Sequence, residues 1–161
     1  MRTSPDLDRF DLALLAALQA DGRLTNQELA ERVNLSASQC SRRRLRLEQE
    51  GLIRGYRAVL SARTLGLDIV AFVQVTLGAH SKENAESFTQ LVQQTPEILE
   101  GFTLTGEADY LLKVVTSTLD ALSDFVNDVL LPHPAVARVQ SRIVLDRLKD
   151  GGPLPFNHLD G

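Results

Sequence analysis

The sequence predicts an α+β protein with two parts: an N-terminal winged-type helix-turn-helix and a C-terminal ferredoxin-like unit of order β-α-β-β-α-β. Apolar residues recur at helical spacing in the first third of the chain. Residues 32–47 contain five arginines and no acidic residue. Strand-like and helical patterns then alternate over residues 68–145. We place the domains at 1–60 and 61–161, with the C-terminal tail in the second.

The bulk composition is that of a globular protein. Of 161 residues, 43% are hydrophobic and 24% are charged, which is ordinary for a folded chain. One cysteine excludes an internal disulfide and suits a reducing compartment. No apolar run reaches the roughly 20 residues of a membrane span, and the charged N-terminus is unlike a signal peptide. We therefore expect a cytoplasmic protein without a membrane partner.

The charge is divided unevenly along the chain. The formal net charge is −4, but residues 1–60 carry ten arginines against eight acids, and residues 61–161 carry seven cations against thirteen acids. A basic face on an otherwise acidic protein is expected when one element contacts nucleic-acid phosphates.

Three helices are predicted in the first domain. Residues 8–20 form an amphipathic helix that Asp8 caps and Asp21-Gly22 ends. Thr25 and Glu28 have capping-box spacing and begin a short helix. Residues 36–39 repeat that spacing at the start of a third helix, which ends at Gly51. Cys40 is expected to face inward.

Two short capped helices joined by a tight turn, with arginines on the second, are typical of a DNA-binding helix-turn-helix. A plain three-helix bundle with a solvated arginine face is the alternative. The absence of glutamates among these arginines favours DNA binding.

A linker strand is predicted at residues 54–60, followed by the domain boundary at 61–67. The second domain then has strands at 69–77, 98–104, 110–116 and 136–145, and helices at 81–94 and 119–131. In this topology both helices cover one face of the sheet. The other face has Val, Ile and Leu side chains to bury, so we expect sheets of two copies to pack back to back in a homodimer.

The predicted DNA contacts follow from how a recognition helix enters the major groove. Its first residues meet base edges, where Gln39 could read adenine and Arg42 or Arg43 could read guanine or hold phosphate. Flanking cations and the free amides at the start of the second helix are expected to hold phosphates. The full set is Thr25, Asn26, Ser36, Ser38, Gln39, Arg42, Arg43, Arg46 and Arg57.

Five segments in this order resemble the Lrp/AsnC family of feast/famine regulators: LDRFD at 7–11, LQADGR at 18–23, LSASQC at 35–40, GLIRGY at 51–56 and TGEADYLL at 105–112. The likeness spans residues 7–150. It implies a transcriptional regulator that responds to an amino acid, has no cofactor, and forms dimers that often assemble into octamers with the effector bound between sensor domains. Arg44 departs from the small aliphatic residue usual in the family, and 150–155 replaces a Thr-rich segment.

The turn at 105–109 is the candidate effector site. Gly106 would let the backbone approach a ligand closely, and Asp109 could pair with an α-ammonium group. A simple turn that closes a hairpin is the alternative. The turn residues are Thr105, Gly106, Glu107 and Asp109, and the family resemblance adds Leu119, His133, Ser141 and Arg142 to the same pocket. The histidines lack the spacing of a metal site.

Two other functions remain open from the sequence. Siroheme decarboxylases of haem biosynthesis resemble this family in fold, but they would need a porphyrin-sized cavity with cationic and histidine side chains, and the chain shows no histidine cluster. The second alternative is a sensor module that does not bind DNA, which the complete helix-turn-helix disfavours.

Overall fold

The computed structural model describes residues 6–79 and 81–159, which form two compact units. One unit contains the described residues up to Val59 together with those from Lys149 onward, and the other is Leu60–Leu148. The predicted boundary near residue 60 agrees with this division, but the C-terminal tail belongs to the first unit and not to the second. The tail belongs to the first unit because Phe156 packs against the apolar core of that unit, the helical unit.

Three helices build the first unit: α1 (Arg9–Ala20), α2 (Asn26–Val33) and α3 (Ala37–Gln49). Each begins with a reciprocal capping box, in which the side chain before the helix and the third helical side chain bond each other's backbone amides. The turn between α2 and α3 passes through Asn34 in the left-handed conformation (φ 55°), which asparagine tolerates better than most residues. The predicted helix-turn-helix is confirmed.

Apolar residues from all three helices form the core of this unit, including Leu14, Leu29 and Leu47. Cys40 is fully buried among them, as predicted. Burial in this apolar surrounding raises the pKa of the Cys40 thiol, because it disfavours the charged thiolate. The residue therefore acts as a small core side chain.

The predicted strand at residues 54–60 is wrong for the single chain, in which the segment is irregular and belongs to no sheet. A strand exists only where a neighbouring strand accepts and donates its backbone hydrogen bonds. No described segment pairs with it, although its residue types favour extended backbone.

The second unit is a four-stranded antiparallel sheet of order β2-β3-β1-β4, with strands β1 (Ile69–Leu77), β2 (Ile98–Thr103), β3 (Tyr110–Thr116) and β4 (Val136–Ile143). Its helices are α4 (Lys82–Gln94) and α5 (Leu119–Asp124), and α5 continues as a π-helical turn, Phe125–Leu130. A short 3₁₀ turn, Arg63–Leu65, precedes β1 and another, Asn157–Leu159, lies in the tail. The order is the predicted ferredoxin-like arrangement.

The two faces of this sheet differ. Val73, Val75 and Leu112 pack with α4 and α5 in the core. The opposite face is more polar than predicted, because Phe72 lies in register with Lys113 on one neighbour and Arg142 on the other. Among the described residues, no helix has the length and apolarity to cross a membrane.

Candidate functional sites

The outward surface of α3 is a ridge of four side chains at helical spacing. Ser38, Arg42, Leu45 and Gln49 are all exposed, and the opposite side of the helix places Cys40 and other apolar residues in the core. Positions three and four apart lie on one face of a helix. These four residues, the α3 ridge, can therefore enter a groove of DNA while the unit stays folded.

Asp11 of α1 is almost fully buried, at 1% exposure, and holds two arginines of α3. Arg43 Nη1 donates to Asp11 Oδ1 at 2.8 Å and Arg46 Nη2 donates to Asp11 Oδ2 at 2.5 Å. Arg43 also pairs with Asp8 at 2.8 Å. The hydrogen bonds to Asp11 raise the pKa of both guanidinium groups. Arg43 and Arg46 were both predicted to contact DNA. In the structure their guanidinium groups neutralise the buried Asp11 carboxylate.

The predicted adenine reader, Gln39, is the third helical residue of its capping box. Its Oε1 accepts from the Ser36 amide at 3.0 Å and from the Ser36 hydroxyl at 3.0 Å. A bidentate contact with adenine needs both the oxygen and the nitrogen of the amide. Gln39 can therefore offer only its nitrogen while the cap is intact. Ser38 Oγ lies 3.1 Å from Ser36 Oγ and stays exposed.

The start of α2 is less suited to phosphate than predicted. The Thr25 amide donates to Glu28 Oε2 at 2.7 Å, and this bond lowers the pKa of Glu28. A carboxylate at the helix start occupies the position and repels a second anion. Asn26 follows with its Oδ1 buried and without a hydrogen-bond partner in the described residues. A phosphate there would require Glu28 to move.

Among the four arginines predicted to contact DNA, Arg42 and Arg57 are exposed. Neither forms an ion pair within residues 6–79 and 81–159. Arg42 lies on the α3 ridge and Arg57 on the segment that leaves the unit.

Arg44 has a role that sequence reasoning missed. Its Nη1 donates to the Leu24 carbonyl at 3.0 Å and its Nε to the Tyr56 hydroxyl at 2.9 Å, with the guanidinium 4.6 Å from the Tyr56 ring centre. The Tyr56 hydroxyl donates to Glu48 at 2.8 Å. Arg44 thus joins the start of the helix-turn-helix to the segment after α3. The i,i+4 spacing of Arg44 and Glu48 was the only local signal.

The predicted effector turn is held by its own polar groups. Gly106 has φ +126°, a conformation that favours glycine. Asp109 Oδ2 accepts from the Leu77 amide at 2.7 Å, the Asp109 amide donates to the Val75 carbonyl at 3.0 Å, and the Asp109 carbonyl accepts from the Leu104 amide at 2.8 Å. Asp109 therefore closes the turn onto the end of β1, as the hairpin alternative requires. Thr105 and Glu107 are exposed.

Three of the other predicted effector residues, Leu119, Ser141 and Arg142, lie elsewhere on the sheet of one chain. The β1–β3 register runs from Tyr110, beside the turn, to Thr116 just before Leu119. Leu119 is therefore at the far end of the sheet, about 20 Å away at the rise of a strand. Ser141 is in register with Val73 and Arg142 with Phe72, so their side chains lie on opposite faces.

His133 belongs to the helical layer. Its Nε2 is 3.1 Å from Ser87 Oγ, its Nδ1 accepts from the Ala135 amide at 3.3 Å, and its ring meets Phe88 edge-on with centroids 5.7 Å apart. These contacts hold His133 in the helical layer that covers the sheet, and the same Phe88 ring lies 4.7 Å from the ring of Tyr110, which follows the turn.

Comparisons with known proteins agree in both units. Residues 7–54 match the family model for winged helix-turn-helix DNA-binding, and residues 70–154 match the model for the Lrp/AsnC ligand binding domain. The leucine-responsive regulatory protein of Rhizobium meliloti (strain 1021) is 42% identical over 145 residues, which cover 90% of this chain and 93% of the relative. That of Escherichia coli (strain K12) is 37% identical over 153 residues, covering 95% and 93%.

Solved structures extend the likeness to three dimensions. A transcriptional regulator from Neisseria meningitidis, solved as a complex with L-Met, has TM-score 0.92 and 45% identity, with 95% of this chain and 99% of that chain covered. An AsnC family regulator from Agrobacterium tumefaciens has TM-score 0.89 and 30% identity, with the same coverage. The chain belongs to the Lrp/AsnC family of transcriptional regulators.

Proposed function

We propose that the chain regulates transcription by placing the exposed α3 ridge in the major groove of its operator. The observation that carries this proposal is the position of Arg42, an exposed cation that lies on the outward side of a capped helix and has no ion pair with any described residue. Ser38, one turn earlier, can add a base or phosphate contact. Arg43 and Arg46 support the helix from behind, and Arg57 contributes at the margin of the interface.

The proposed effector is an L-amino acid with an apolar side chain. Support comes from the Neisseria neighbour, whose structure contains L-Met, and from the match to the Lrp/AsnC ligand binding domain. Because the candidate residues lie on opposite faces and ends of one sheet, they need a second copy of the chain to form one pocket. We therefore place the effector between protomers of a cytoplasmic homodimer or larger assembly, in which the octamer remains the expected form.

Enzyme function is not favoured. The relatives described above are named as regulators, which argues against the siroheme decarboxylase alternative. The match of residues 7–54 to a DNA-binding model likewise disfavours a sensor module without DNA contacts.

DNA binding can be tested by anisotropy titration of the full-length protein against a duplex chosen by in-vitro selection. Arg42→Ala should weaken binding and reduce the slope of log affinity against log salt by about 0.9 for each protomer that contacts the duplex, the value for one lost phosphate contact. Arg63→Ala is the matched control, since Arg63 is equally cationic and its side chain is 92% exposed, but it lies outside the helical unit. Equal behaviour of the two variants would contradict the assignment of Arg42.

The effector can be found by a thermal-shift screen against the twenty amino acids. A ligand at 100 times its Kd stabilises the native protein by about 2.7 kcal/mol. We expect L-Met or a related apolar amino acid to raise the melting temperature and to change the affinity for the selected duplex. An assembly that responds to none of the twenty would contradict the amino-acid proposal.

A further inference from the structure

The C-terminal end of α1 carries an unusual contact with the C-terminal tail. The Gln19 side-chain amide bonds both backbone groups of Leu154: the Leu154 amide donates to Gln19 Oε1 at 2.6 Å, and Gln19 Nε2 donates to the Leu154 carbonyl at 3.3 Å. The Leu154 side chain remains 72% exposed. Gln19 therefore recognises the main chain of the tail and not its side chain.

The sequence around Leu154 prepares its backbone for this contact. Leu154 lies between Pro153 and Pro155. A residue before proline is confined to extended conformations, and each proline fixes its own φ. An extended segment outside any sheet leaves both backbone groups of Leu154 available, and the prolines lower the entropy lost on docking.

Phe156 supplies the apolar anchor. Its ring packs against the core of the helical unit and lines a cavity of about 550 Å³ together with Leu7, Leu15, Leu18 and Ile53. The docking surface therefore combines one polar side chain, Gln19, with a predominantly leucine floor. None of these residues belongs to the α3 ridge.

We propose that the C-terminal end of α1 is a peptide-docking surface whose occupant is the C-terminal tail of the same chain, with Gln19 bonding the Leu154 backbone and Phe156 packing against the leucine-rich wall of the cavity. The main chain then passes between the two units twice, at Val59–Leu60 and at Leu148–Lys149. The proposal is independent of the effector and operator assignments, since it concerns contacts within one unit.

Amide hydrogen exchange on the full-length protein tests the contact directly. Pro153 and Pro155 have no amide hydrogen, so Leu154 is the sole exchanging backbone site in that tripeptide. Gln19→Ala and Phe156→Ala should each speed Leu154 exchange roughly tenfold or more by releasing the tail. Gln90→Ala, which removes an exposed glutamine from α4, should leave it unchanged. Fast Leu154 exchange in the wild type, or equal rates in all variants, would overturn the proposal.

The identity of the occupant is tested by a photoreactive phenylalanine analogue at position 156. Crosslinks to α1 that migrate at the mass of one chain on a denaturing gel support docking of the chain's own tail. A band at the mass of two chains would assign the surface to the tail of a second copy and overturn the proposal. A crosslink within one chain that maps away from Leu15 and Leu18 would overturn it equally.

Discussion

Asp11 and Arg43 lie 32 residues apart in the sequence and 2.8 Å apart in the structure. The pair ties the first helix to the third, and Arg46 completes it on the other carboxylate oxygen. A carboxylate that is almost fully buried must be paired or hydrogen-bonded to be tolerated. The arginines of α3 thus have two different roles. Arg43 and Arg46 neutralise Asp11 within the unit, whereas Arg42 is exposed and is the residue that we propose to contact DNA.

Asp11→Ala should destabilise the helical unit by about 2 kcal/mol, because it removes one member of a buried charge network. We set this below the value for fully buried pairs, since the Arg43 and Arg46 side chains keep 27% and 41% exposure. Urea unfolding followed by far-UV circular dichroism measures the change. Asp68→Ala, which removes an exposed carboxylate 3.9 Å from Arg63, is the control and should shift stability by less than about 0.5 kcal/mol. Equal midpoints for the two variants would contradict this role of Asp11.

Asp8 should make the helical unit sensitive to acid. A hydrogen bond from the Asp11 amide lowers the pKa of Asp8, and Arg43 lowers it further. Because the folded pKa lies below the unfolded one, this contribution is complete above the unfolded value of about 3.9 and is lost as the pH falls through the lowered folded value.

Asp8→Asn keeps an effective helix cap but no longer titrates. Melting temperatures between pH 7 and pH 2 should therefore fall more steeply for the wild type than for Asp8→Asn once the pH is below 4. Parallel curves for the two proteins would show that the Asp8 charge does not contribute.

Arg44→Ala should cost about 1–2 kcal/mol of stability, because it removes hydrogen bonds to the Leu24 carbonyl and the Tyr56 hydroxyl. Thermal unfolding provides the measurement. Arg57→Ala is the matched control, since Arg57 is exposed on the same segment as Tyr56 and should leave the melting temperature nearly unchanged. A melting temperature that is unchanged by Arg44→Ala would show that the contact with Tyr56 does not contribute to stability.

Asp109 is expected to matter for the fold more than for the effector. Asp109→Ala leaves the Leu77 amide without its acceptor and should cost about 1–2 kcal/mol, whereas Asp109→Asn retains an acceptor oxygen. We expect Asp109→Asn to keep both the melting temperature and the thermal shift given by the screened amino acid. Loss of that shift at an unchanged melting temperature would restore Asp109 as the partner of the α-ammonium group.

The features predicted correctly from sequence are those that local spacing controls. The N-cap at Asp8 and the capping boxes at Thr25 and Ser36 depend on residues at most three apart, and the buried face of each helix follows from its apolar period. The order of strands in the second unit follows from alternation and turn residues in the same way. These signals are complete within a few residues of each other.

The contacts that the sequence did not predict join residues that are distant in the chain. The partner of Arg43 is on another helix, and the acceptor of Arg44 is the carbonyl of Leu24, so neither could be read from α3 alone. The linker strand had the correct residue types but no pairing partner within residues 6–79 and 81–159. The helix predicted at 119–131 is present, and its second half is a π-helical turn that apolar periodicity does not distinguish from an α-helix.

The return of the tail to the helical unit bears on how such a regulator can be re-engineered. A chimera made by fusing a foreign sensor domain after residue 59 would lack Leu154 and Phe156, which pack on the helical unit. Transfer of the helical unit to another protein therefore requires two junctions, so that residues 149–159 are included with residues up to 59.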